Sequence, residues 1–145
     1  MSEESQRKLL VTRVVAKAKV FDPDLKIKLP NLPFDPPTNQ VYGKMFILGG
    51  RSFNAANAGE KKLVRRTGIL QITILSPEEK GTSKGNKAVD MFAKAFENWK
   101  GRDDEGIQYT FKTADVRYPT EAMSGWYPHI VRIPYYRDDY TDLPD

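Results

Sequence analysis

The sequence predicts an α+β domain: an antiparallel β-sheet with two helices packed on one face, in the order α-β-β-α-β-β. Three observations carry this expectation. Two segments repeat apolar residues at helical spacing. Four others are β-branched or alternate with period two. Glycine and proline pairs punctuate the boundaries between them.

The first element is a helix over Glu3–Phe21, with Leu10, Val11, Val14, Val15 and Ala18 at three-to-four spacing and Lys and Arg on the other side. Glu3 and Glu4 suit the positive end of its dipole, and Asp22-Pro23 stops it. Leu25–Leu29 is short and extended. Leu29–Pro37 then reads LPNLPFDPP. Each proline fixes φ and lacks an N–H donor, so this stretch is a stiff extended connection leading into a sheet.

Val41–Leu48 reads as a strand ending at Gly49-Gly50. Arg51–Lys62 has no periodicity and reads as a loop. Leu63–Leu75 is the partner strand of a long antiparallel hairpin, with Leu70, Ile72 and Ile74 on one face and Gly68 marking a bulge or bend. Ser76-Pro77 ends it. Gly81-Thr82-Ser83 leads into a helix over about Lys84–Lys100, whose stripe Ala88, Val89, Phe92, Ala95, Phe96, Trp99 is core, with Gly101 as its C′ residue. Ile107–Thr113 alternates cleanly. Trp126–Tyr136 is the last strand, and Pro128 and Pro134 place it at a sheet edge.

At 145 residues the chain fits one domain, 1–145, carrying an acidic C-terminal tail, 138–145. There is no cysteine, which removes disulfides, thiolate metal sites and cysteine nucleophiles. No apolar run approaches the roughly 20 residues that span a bilayer. The N-terminal MSEESQRKLL lacks the apolar region of a signal peptide, so assembly in the cytoplasm, without a membrane, is the expectation. Net charge is +4, unevenly spread. Asp138–Asp145 holds four Asp and no base, leaving 23 basic against 15 acidic residues before it, a net of +8. A basic body with an acidic tail suggests electrostatic matching to a partner or a neighbouring subunit.

Catalytic chemistry has little to stand on. His129 is the one histidine, lies within a strand, and reads as structural or surface-exposed rather than catalytic. One histidine and no cysteine leave only carboxylates for a metal, and Glu78-Glu79, Asp103-Asp104-Glu105 and Asp138-Asp139 fit no ligand spacing. Gly81, Gly85 and Gly101 match neither the Walker nor the dinucleotide pattern. The expectation is therefore no catalytic residue, no metal and no cofactor. The basic run Lys61-Lys62-Leu63-Val64-Arg65-Arg66 leaves three readings open: a charged strand protecting an edge, a subunit contact, or a phosphate contact. Aromatic residues for base stacking are not interleaved there.

The pieces PNLPFDPP, VYGKMFILGG, RTGILQITILSP, AVDMFAKAF and IVRIPYYRDD occur in that order. Together, over roughly Leu9–Asp139, they resemble the tail terminator family of long-tailed bacteriophages. That family's pattern is P-N-x-P-F-x-P-P, then G-x-x-x-I-x-I, a glycine-rich turn into a helix, and an I-P-(Phe/Tyr)-x-x-D ending. The resemblance does not extend to Phe53–Lys62 or Tyr140–Asp145.

It implies an antiparallel sheet flanked by two helices, and a structural protein, not an enzyme. It also implies a homo-hexameric ring on the last ring of the tail tube that halts polymerisation and meets head-completion or neck proteins at the tail–neck junction of the virion. Viral DNA would pass through the lumen without sequence-specific binding. Under this reading Arg51, Lys61, Lys62, Arg65 and Arg66 form an axial or intersubunit contact, and Asp138, Asp139 and Asp142 meet a neighbouring subunit. The alternatives are another neck ring protein and a small basic nucleic-acid-binding domain.

Overall fold

The computed structural model of the chain describes residues 3–58 and 61–142. It overturns the expected order of six elements and the simple sheet with a helical layer on one face. Among the described residues the chain is mostly β, with seven strands in one curled sheet and two helices. The elements are α1 (Glu3–Phe21), β1 (Lys26–Lys28), β2 (Tyr42–Ala58), β3 (Lys61–Pro77), α2 (Ser83–Phe96), β4 (Lys100–Arg102), β5 (Gln108–Phe111), β6 (Asp115–Arg117) and β7 (Trp126–Asp142). A single 3-10 turn, Glu78–Lys80, precedes α2. The sheet order is β1-β2-β3-β7-β5-β4, with β6 also on β7. It is not purely antiparallel, because β1 pairs parallel to β2.

The hairpin of β2 and β3 forms in the register that apolar alternation demands. Leu70, Ile72 and Ile74 are fully buried, and Met45 lies opposite Ile72. β7 runs along the other side of β3 with Val131 opposite Ile72 and Ile133 opposite Leu70. α2 sets Ala88, Val89, Phe92 and Phe96 into this surface, and α1 adds Leu10, Val14 and Ala18 to the same core. Arg13 ties the helices together: its Nε and Nη2 donate to the Ala95 carbonyl at 3.0 and 2.6 Å, and its guanidinium lies 4.0 Å over Trp99. A cation on the last carbonyls of α2 also suits the negative end of that dipole.

Three boundaries differ from the sequence expectation. Residues 51–58 and 61–62 are strand, not loop; residues 59 and 60 lie outside the described residues. β2, β3 and β7 each have 17 residues, about 57 Å of extended chain, whereas the 14 residues of α2 cover about 21 Å. The strands therefore overrun the body as a three-stranded ribbon. Its inner end is kinked: the register slips between Gly49 and Ser52, and again between Asn54 and Ala56. Each slip adds a residue to β2, which bends and twists a pair.

The second difference concerns β7, which is central and not an edge. β3 occupies one side, and β6 and β5 share the other. The prolines fit because of where they point. The Pro134 carbonyl accepts from Lys112 N on the β5 side, so its missing N–H faces that side too. There it falls between the residues paired to β6 (130–132) and to β5 (135–137). Pro128, of the same phase, lies ahead of both.

The third difference is at the end of α2. The helix stops at Phe96, and Asn98, not Gly101, takes the left-handed conformation with φ 58°. Trp99 leaves the helix to pack on Phe96 and Phe111. Gly101 belongs to β4, where a Cβ would lie 2.3 Å from the Trp99 ring.

Candidate functional site

The structure brings His129 to a serine after all. Ser76 Oγ lies 2.9 Å from His129 Nε2, and Asn86 Oδ1 lies 2.8 Å from Nδ1. With Asn86 accepting, Nδ1 carries the proton and Nε2 accepts from the serine hydroxyl. The arrangement resembles a nucleophile and its base, but Ser76 and His129 are both wholly inaccessible. Burial also pushes the imidazole pKa down to about 4, which makes it a poor base at neutral pH. The trio is a polar tie between β3, β7 and α2. Among the described residues no three His, Cys, Asp or Glu side chains group as metal ligands would, and no helix is long and apolar enough to cross a membrane.

The charged residues singled out from the sequence converge on the ribbon. Its β3 strand faces the end of β7 in register: Lys61 opposite Asp142, Lys62 opposite Thr141, Arg65 opposite Asp138. Arg65 is engaged within its own chain. Nε and Nη2 donate to the two Asp138 oxygens at 2.8 and 2.9 Å, and the guanidinium lies 4.1 Å over Tyr136. The Asp138 hydrogen bond holds the Arg65 pKa above its usual value. Arg66 donates to Ser52 Oγ at 3.3 Å. Arg51 is exposed, Lys62 and Asp139 are half-buried, and the side chains of Lys61 and Asp142 lie outside the described residues, as do residues 143–145 of the expected tail.

The Arg65–Asp138 pair is two-pronged but half-exposed, so its coupling is expected at about 1 kcal/mol. A double-mutant cycle with Arg65→Gln and Asp138→Asn in urea denaturation measures it. Strictly additive effects would show that the pair contributes nothing to the ribbon.

At the root of the ribbon lies a cavity of about 410 Å³ between the start of α1, the Gly49-Gly50 kink and β7. Arg7, Arg66 and Arg137 line it, with Glu3 and Glu4. Arg137 anchors a buried network: its Nη1 donates to Gln6 Oε1 and to Tyr109 Oη, both at 2.9 Å. Tyr135 Oη also donates to Gln6 Oε1, at 2.7 Å, and Tyr109 Oη donates to Asp103 at 3.1 Å. Desolvation pushes the Tyr109 pKa up to about 12 and the Tyr135 pKa higher still, so both hydroxyls keep their protons. Sequence reasoning missed this group, although the inward phase of β7, at His129, Val131, Ile133 and Tyr135, continues to Arg137 with period two.

A family described as phage tail terminator protein matches residues 7–135. A search of curated proteins returns no match. Nine solved chains match in structure. One of them has 21% identity and a TM-score of 0.69, over 100% of this chain and 99% of its own. At that identity the likeness is one of fold.

Proposed function

The chain belongs to the phage tail terminator family, and from that premise we propose that it closes as a homo-hexameric ring on the last ring of the tail tube. The family gives it a structural part in the phage tail and so a place in the virion. The ring stops tube polymerisation and offers its far face to a head-completion protein at the tail–neck junction. DNA passes through the lumen without sequence-specific contact.

The observation that carries this reading is the ribbon. A ring needs a heterologous contact, one surface of each copy seated on a different surface of the next. β2, β3 and β7 run on past the length of α2, and among the described residues this part carries the exposed Arg51 and the half-buried Lys62 and Asp139. Arg51, Lys61 and Lys62 are the cations proposed to meet a neighbouring subunit or the tube, with Asp139 and Asp142 as the acids of the ribbon. Arg65 and Asp138 serve mainly to hold the ribbon together.

Electron microscopy of particles from a phage genome lacking this gene tests the function. Overlong tubes detached from DNA-filled heads are the expected result, reversed by supplying the protein in trans. Tails of normal length beside heads that leak DNA would move the protein to the head side of the neck. Supplying Arg51→Glu with Lys62→Glu in trans should restore neither tail length nor joining if these cations make the contact; full rescue would remove them from it.

A further inference from the structure

Arg66 and Arg137 stand directly opposite one another on neighbouring strands, so their side chains leave the same face. Like charges in that position repel. Both line the cavity at the ribbon root, and Arg7 enters it from α1. Among the described residues neither Arg66 nor Arg137 has a carboxylate partner. Arg137 is 8% exposed, and its Nε, like that of Arg66, is buried with no hydrogen-bond acceptor. Buried donors without acceptors are costly and rare in folded proteins. The start of α1 adds its own positive dipole end. Two guanidiniums held together with donors unspent make a donor site for an anion.

We propose that this cavity receives the acidic segment Asp142–Asp145 of a second copy of the chain, a carboxylate of one copy joining the Arg66–Arg137 pair of the next. This deepens the ring reading and rests on it. Three features favour that occupant. The segment carries Asp142 and Asp145 and no base, complementing the cations. The same chain's Asp142 cannot supply the carboxylate, because it is fixed opposite Lys61, five residues and about 17 Å along β7 from Arg137. Glu3 and Glu4 at the cavity admit one carboxylate beside Arg7 but repel a polyanion such as a nucleic-acid backbone. The Glu4 carboxylate lies 3.7 Å from Arg7, leaving Arg66 and Arg137 for the incoming group.

The test is a titration of the full chain with a peptide of residues 138–145, read by nuclear magnetic resonance at the arginine Nε–H signals. Arg66 and Arg137 Nε–H are expected to move as they gain an acceptor. Affinity should fall by about tenfold or more for a peptide carrying Asp142→Asn and Asp145→Asn, and similarly in the chain variant Arg66→Gln. It should also weaken between about 50 and about 500 mM NaCl. Silence of both signals up to about 5 mM peptide would overturn the proposal. So would equal response to the Asn-substituted peptide, or an equal response to inorganic phosphate alone, which would make the cavity a general anion site. Ring formation is read separately by the mass of the assembly. A ring without peptide binding overturns this contact alone, whereas peptide binding by a chain that never forms rings overturns the ring reading and leaves the cavity's chemistry standing.

Discussion

Replacing Gly85 with alanine is expected to destabilise the domain by about 3 kcal/mol or more. Helix propensity argues the other way, since alanine exceeds glycine by about 1 kcal/mol inside a helix. Sterics decide the sign. A Cβ at Gly85 would lie 2.1 Å from His129 Nε2 and within 2.5 Å of two ring carbons. The ring cannot retreat, because it is fully buried and held at both nitrogens by Ser76 and Asn86. α2 must lift off the sheet or the imidazole must abandon both hydrogen bonds. Urea denaturation at pH 7.5 measures the loss. A cost below about 1 kcal/mol would mean that the ring moves freely. Shrinking the obstacle gives an independent arm: Gly85→Ala combined with His129→Ser should be less destabilised than the sum of the two single changes.

The fold was legible in the sequence where a local signal coincides with burial in the core, and not elsewhere. α1 was read to its observed ends because its apolar stripe, acidic start and following Asp22-Pro23 agree. The inner halves of β2 and β3 were legible because one face is buried and alternation follows. Residues 51–58 carried no such signal. Pairing with β3 slips register twice there, so no regular alternation runs through it, and the ribbon is held by ladder pairing between β2, β3 and β7, which leaves no trace in local composition.

The prolines of β7 misled for a related reason. They forbid a donor at two points on one side of the strand, and β5 and β6 leave those points unpaired. The basic run was visible as a cluster, but its use was not. Arg65 and Asp138 are 73 residues apart, and Gln6 and Arg137 are 131 apart. Only the three-dimensional register shows which cation of the run, Arg65, meets an acid of its own chain.

Acid should weaken this protein from about pH 6.5 downward, and His129 should be the cause. The imidazole pKa falls from 6.5 to about 4 in the folded chain, through burial. Its ring partners, an amide oxygen on α2 and a hydroxyl on β3, carry no charge that would favour the cation. Between pH 6.5 and 4 the unfolded chain binds this proton and the folded chain does not, so stability falls as pH falls. The contribution is whole above pH 6.5 and spent below about 4. At 1.36 kcal/mol per pKa unit, the loss on going from pH 7 to 4.5 is about 2 to 3 kcal/mol.

Asp22 and Asp104 are held below the usual carboxylate value, first by hydrogen bonds from Lys84 and Ser5 respectively. Their contributions are complete above about pH 4 and are lost only as pH drops further, so the two regimes separate. Urea denaturation at half-unit steps of pH should show the upper regime in the native chain and not in His129→Gln, whose side chain has no proton to take up. An unchanged slope in that variant would assign the acid sensitivity elsewhere. Because the tie joins α2 to the sheet, its protonation should release the helix from β3 and β7 before the ribbon ladder opens.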